Sequence, residues 1–109
     1  MSEVLGTFEQ AVLVAILHLR DEAYGRTILK EVQSRLRRTV SAGAVYATLD
    51  RLETKGLVSS RLGSGTPERG GRPRRFYTVE RAGVQALNVS RIAVDHIWRG
   101  IRLPVRSRA

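Results

Sequence analysis

The sequence has no cysteine. Disulfide bridges, thiol redox sensing and cysteine-ligated zinc are therefore all excluded. Long apolar runs are missing as well. The longest, Ala11 to Leu17, is far below the ~20 residues that cross a bilayer. Met1-Ser2-Glu3 sets no basic region ahead of an apolar stretch. The expectation is a soluble, cytoplasmic protein with no membrane partner. His18 and His96 stand alone, with no carboxylate at metal-ligand spacing, so no metal is expected. No Ser-His-Asp arrangement, carboxylate cluster or phosphate-loop motif is present, which argues against an enzyme and against a bound cofactor.

Acidic residues are scarce too. Ten Asp and Glu face nineteen Lys and Arg, for a formal net charge of +9. All of those cations but Lys30 and Lys55 are arginine, whose forked guanidinium suits phosphate. This balance implies a polyanionic partner, and nucleic acid fits it better than an acidic membrane surface. At 109 residues and 42% apolar, the chain should form one globular domain with a modest core.

The stretch from Thr39 to Val79 organises the rest. Ser41 is a good N-cap, and Val45, Leu49 and Leu52 recur at i, i+4 and i+7, giving a helix with one apolar face. Lys55 falls in its last turn and Gly56 just past it. Leu57 to Leu62 alternates like a strand, and Arg74 to Val79 reads as the returning one. Between them Gly63 to Arg72 is rich in glycine and arginine. It lacks the Lys-Ser/Thr of a nucleotide-binding loop and is followed by a strand, so it reads as a cationic hairpin tip. Helix, strand, basic hairpin, strand is the order of a winged helix, and it points to double-stranded DNA. RNA is the nearest competitor, but the few aromatics speak against the stacking that single-stranded RNA recognition needs. A protein-interaction module has no use for so cationic a wing.

Ahead of this stretch, Thr7 and Gln10 make a capping box for a first helix over Phe8 to Leu19. It is apolar nearly all round. Phe8, Val12, Ala15, Ile16 and Leu19 share one face, while Leu13, Val14 and Leu17 point elsewhere, toward a second subunit. A second helix runs from about Tyr24 to Arg37 and completes a helix-turn-helix. After Val79 the pattern predicts one long helix from Glu80 to Leu103, with Val84, Leu87, Val94, Ile97, Trp98 and Ile101 in a stripe. Such a surface calls for a partner, and a homodimer is the plain reading. The expected division is a DNA-binding winged helix over 1–79, a dimerisation helix over 80–103 and a basic tail over 104–109. The fold class is thus mainly α, with a small two-stranded antiparallel sheet.

These residues resemble PadR-type bacterial transcriptional regulators, in the short form with a single C-terminal helix. The resemblance rests on Tyr24-Gly25-x-x-Ile28 and on Ser41-x-Gly43-x-x-Tyr46-x-x-Leu49-x-x-Leu52-Glu53-x-x-Gly56-Leu57. Gly71-Arg72-Pro73-Arg74-Arg75-x-Tyr77 and Gly83-x-x-Ala86-Leu87 complete the set. It implies a homodimer whose third helices enter successive major grooves while the wings touch flanking DNA. It also implies repression of a nearby promoter, relieved in many members by a small-molecule effector. Ala42, Ala47 and Glu80 depart from the family pattern, which has Pro, Pro and Thr there.

Each candidate contact has a plainer alternative. Ser41 caps a helix and can also meet a phosphate. Tyr46 lies opposite the apolar stripe, where it would touch DNA. Gly43, with Ala42 and Ala47, offers only close approach or a methyl contact to thymine, so specificity should lean on DNA shape. Arg51 and Lys55 point outward and either serve the DNA backbone or are simply solvated. Arg72, Arg74 and Arg75 are read as wing contacts, because a pliable tip has no structural need for them. Trp98 packs in a core or dimer interface, or lines an apolar pocket for a flat aromatic ligand.

Overall fold

In the computed structural model, which describes residues 3–63 and 73–104, the chain runs through helix α1 (Thr7–Leu19), a single 3₁₀ turn (Arg20–Glu22), α2 (Gly25–Leu36) and α3 (Ala42–Thr54). Strands β1 (Val58–Leu62) and β2 (Arg75–Val79) follow, and then α4 (Arg81–Trp98). The strands pair antiparallel, with Val58 opposite Val79 and Ser60 opposite Tyr77. Tyr24, in the segment before α2, adds an isolated antiparallel bridge to Phe76. The Tyr77 amide also donates to the Ala23 carbonyl at 2.9 Å. The wing is therefore anchored to the helical body along a third backbone segment. The expected architecture, mainly helical with a two-stranded sheet in a winged helix-turn-helix, is what the chain adopts.

The core explains these placements. Val45, Leu49 and Leu52 of α3 are completely buried, as the i, i+4, i+7 spacing requires, and Ile28 and Val32 of α2 meet them. Ser41 caps α3, its hydroxyl accepting from the Ala44 amide at 3.0 Å. Gly56 takes a φ of +78° just past the end of α3, the left-handed conformation that glycine adopts without steric penalty. Gln33 sets the turn between α2 and α3. Its carbonyl oxygen Oε1 accepts from the Val40 amide at 3.1 Å.

Helix α1 departs from expectation at both its start and its sides. Gly6, not Thr7, holds the N-cap position, and the Glu9 carboxylate reaches back to the Gly6 amide. Gln10 still acts at this end, but through its side-chain amide, which donates to the Leu5 carbonyl at 3.0 Å. The side assigned to a partner subunit is covered within the chain. Leu13 is wholly buried, so it is a core residue and not a subunit contact. The elements α2, α3, β2 and α4 all pack on α1, which is why it needs no polar face. Leu17 alone of that set is substantially exposed, at 46%.

Helix α4 is shorter than its hydrophobic period. It stops at Trp98, because Gly100 adopts a φ of +76° and turns the chain. Ile101 and Leu103 therefore lie beyond the helix and off its stripe. Glu80 sits at the N-cap without a side-chain capping bond. Its carboxylate instead accepts from the Ser59 hydroxyl on β1. The face of α4 turned toward the body carries small residues, the buried Gly83, Ala86 and Ser90. A Cβ on Gly83 would collide with the Leu57 carbonyl, so only glycine lets α4 lie this close to the hairpin. The expected basic tail falls almost wholly outside the described residues.

Two polar links tie distant segments together. The Lys55 ammonium at the end of α3 binds the carboxylates of Glu3 at 2.8 Å and Glu9 at 3.0 Å. The hydrogen bonds it donates to Glu3 and then Glu9 raise its pKa above the ordinary lysine value. Ser90 is completely buried. Its hydroxyl accepts from the Leu5 amide at 2.8 Å and donates to the Ala86 carbonyl at 2.7 Å. Replacing it would strand the buried Leu5 amide, so Ser90→Ala should cost about 1–3 kcal/mol. A thermal melt should then show a midpoint lower by several degrees (roughly 4–8 °C per kcal/mol for a small domain), and an unchanged midpoint would contradict the role given to this bond.

Candidate nucleic-acid interface

The burial of one α3 face fixes what the opposite face presents. With Val45, Thr48, Leu49 and Leu52 turned inward, the helical period sets Gly43, Ala47, Asp50 and Thr54 along the outward ridge. All four are exposed. Gly43 has open space where a Cβ would stand, with Ser41 Oγ the nearest atom at 4.0 Å. The first half of the ridge is therefore small, and a DNA groove can approach the backbone there.

Tyr46 flanks the ridge on the side of α2. It is 48% exposed, and its ring lies across Gly25, where an added Cβ would come within 2.6 Å of the phenol oxygen. Gly25 thus acts as the seat of Tyr46. On the other flank a shallow groove is lined by Arg38, Ser41, Ala44, Ala47 and Arg51, among others. Arg51 donates to the Thr48 hydroxyl at 3.2 Å, which steadies its guanidinium over that groove. The N-terminus of α3, with its partial positive charge, opens into the same place. Two arginines and a helix N-terminus together form a surface that attracts phosphate.

The base of the wing supplies a second cationic patch. The Arg74 guanidinium stacks 4.3 Å above the Tyr24 ring, and that of Arg61 lies 5.0 Å from the Phe76 ring. The Tyr24 and Phe76 rings meet edge to face at 5.5 Å. Arg75 donates to the Ser60 hydroxyl at 2.9 Å, and Ser60 in turn donates to Glu53 of α3 at 2.7 Å. The expectation that these arginines lack a structural role is thus corrected for Arg74 and Arg75. Both hold the wing base in place, through a cation–π stack and a hydrogen bond, and both remain exposed. Arg72 lies outside the described residues. Behind the wing, burial holds the Tyr77 phenol above its usual pKa, and the Glu53 carboxylate adds to the effect.

Of the residues singled out for DNA contact, Ser41, Gly43, Tyr46 and Arg51 come together on the exposed side of α3, with Arg74 and Arg75 at the wing. Lys55 does not join them. Its charge is already matched by two carboxylates on the N-terminal side of the body, so it is not a free cation for DNA. Asp50 and the Glu53–Ser60–Arg75 chain were not among the expected features, whereas Arg61 was expected as one of the wing's cations. The spacing Gly43, Ala47, Asp50, Thr54 was the available signal for Asp50.

The residues assigned to a subunit contact divide as well. Leu87 is half-buried against the chain's own core. Val94, Ile97 and Trp98 are 44%, 71% and 47% exposed on the last turns of α4, and Ile101 is 59% exposed beyond it. Trp98 sits on open surface within the single chain. Among the described residues no group of three or more His, Cys, Asp or Glu could hold a metal. No described helix is long and apolar enough to cross a membrane.

The Transcriptional regulator PadR-like family model matches residues 13–89, a span running from α1 through both wing strands into α4. No curated protein gives a significant sequence match. Among solved structures, a PadR family transcription regulator from Clostridium difficile R20291 is 28% identical, with a TM-score of 0.64 over 84% of this chain and 92% of that one. A PadR family transcriptional regulator from Eggerthella lenta is 25% identical, with a TM-score of 0.65 over 82% and 75% of the two chains. A PadR-like transcription factor from Bacteroides fragilis is 24% identical, with a TM-score of 0.67 over 86% and 85%. With the family model covering most of its length and the winged helix-turn-helix in place, the chain belongs to the PadR-like family of DNA-binding transcriptional regulators.

Proposed function

We propose that this regulator is a homodimeric repressor that grips an inverted repeat in double-stranded DNA. The observation that carries the reading is the apolar surface that the end of α4 exposes among the described residues. The face that packs Gly83, Ala86 and Ser90 against the body continues into Val94 and Ile97, which are 44% and 71% exposed among the described residues. Trp98, Val84 and Ile92 add exposed apolar surface around it. A second copy of the same helix is the simplest cover, since a two-fold contact buries like against like. The winged helix over 1–79 would then read DNA while α4 joins the two chains, carrying 2 × 9 = +18 of formal charge between them.

In this arrangement the two α3 helices enter successive major grooves, roughly 34–36 Å apart. Ser41, Gly43, Tyr46 and Arg51 face the groove and its near phosphates, while Arg74 and Arg75 reach the flanking backbone. Occupancy of an operator that overlaps a promoter excludes polymerase, which is the sense in which it represses. A small aromatic effector stacking between the paired Trp98 side chains would change the angle between the α4 helices. The two reading helices would move out of register with no contact at the DNA surface.

Titration of fluorescent duplexes at several salt concentrations tests the DNA surface. Arg51→Ala or Arg74→Ala should weaken binding to all duplexes alike and reduce the salt slope by about one unit. Lys55→Ala should leave both nearly unchanged, and a loss equal to that of Arg51→Ala would put Lys55 back among the DNA contacts. Light scattering tests the dimer. The chain should run as two copies at micromolar concentration and Ile97→Asp as one, whereas a dimeric Ile97→Asp would move the interface elsewhere. Planar aromatic compounds should quench Trp98 fluorescence and lower DNA affinity together; quenching with no effect on affinity would separate the pocket from regulation.

A further inference from the structure

Among the described residues, every charged side chain on α3 and its C-cap but one is engaged within the chain. Arg51 donates to Thr48, Glu53 accepts from Ser60, and Lys55 pairs with Glu3 and Glu9. Asp50 has no hydrogen bond or ion pair among the described residues, and it stands exposed on the outward ridge with Gly43 and Ala47. A carboxylate is a costly choice for a surface that must approach phosphates, because it repels the polyanion that the rest of the protein attracts. It is useful there only where it finds a donor.

Resting on the reading of α3 as the helix that enters the major groove, we propose that Asp50 selects a cytosine in each half of the operator by accepting a hydrogen bond from its N4 amino group. In the major groove only cytosine and adenine present donors. Adenine sets its N7 acceptor beside the N6 amino group, which opposes a carboxylate, whereas the cytosine edge offers the donor alone. The side chain of aspartate is short, so it reaches a base only if the helix backbone comes close. Gly43 and Ala47 on the same ridge permit that approach. The carboxylate also acts against the wrong site, since a half-site with guanine or thymine at this position leaves it facing acceptors.

Selection of bound sites from random duplexes, run in parallel with the full unmodified chain, Asp50→Ala and Asp50→Asn, tests the assignment. The unmodified chain should enrich cytosine at one symmetric position per half-site, by about tenfold over the other bases. Asp50→Ala should lose that preference, keep the rest of the motif and bind unrelated duplexes more tightly. Asp50→Asn should turn the preference toward adenine, whose N6 and N7 suit an amide. An identical motif for the unmodified chain and Asp50→Ala would overturn the role of Asp50 and leave the DNA-binding reading standing. Failure of the unmodified chain to bind any duplex would instead overturn the reading of α3 on which the proposal depends.

Discussion

The structure depends first on the burial of Val45, Leu49 and Leu52 beneath α3. That stripe locks the rotation of the helix about its axis, because turning it would expose three large apolar side chains at about 1.5–3 kcal/mol each. Once rotation is fixed, the outward ridge is fixed as well. Ser41 sets where the helix begins and Gly56 where it ends. The wing follows at a set angle, since Tyr77 and Val58 share the core with α3 and Ser60 links the hairpin to Glu53. Helix α3 and the two wing strands are thus held as one surface, with arginines on both flanks and small residues in between.

A second constraint governs assembly. Helix α4 lies against the body through the buried Gly83, Ala86 and Ser90, with Leu87 half-buried beside them. Its last turns carry the exposed Val94, Ile97 and Trp98. The buried bond from Leu5 to Ser90 ties α4 to the N-terminal segment, and Glu3 and Glu9 of that region hold Lys55 at the end of α3. In the proposed dimer, these contacts are the route by which a change in the angle of α4 would reach α3. The proposed effector between two copies of α4 would act on DNA affinity along this route without touching DNA.

Much of this was legible in the sequence wherever the controlling interaction is local. The Ser41 cap, the α3 stripe, the strands and the order of elements all follow from residues within a few positions of one another. The end of α4 was legible too, in Gly100, but the apolar period running on to Ile101 masked it. Long-range pairing was not legible. Lys55 finds Glu3 and Glu9 across 52 and 46 residues, and nothing near it in the chain signals that its charge is matched. Leu13 was misplaced for a related reason. An all-round apolar helix is buried on every side, but the sequence does not say whether its own chain or another supplies the cover. Arg74 and Arg75 read as free cations until the structure sets one over Tyr24 and the other beside Ser60.

In the proposed complex two identical surfaces, joined through α4, meet one face of a duplex. Hydroxyl-radical footprinting on a selected operator addresses it most directly. Two protected patches related by a two-fold axis are expected, with centres about one helical turn apart, roughly 10–10.5 base pairs, and outer protection where the wings reach the backbone. A single protected patch, or two patches in the same orientation, would contradict it.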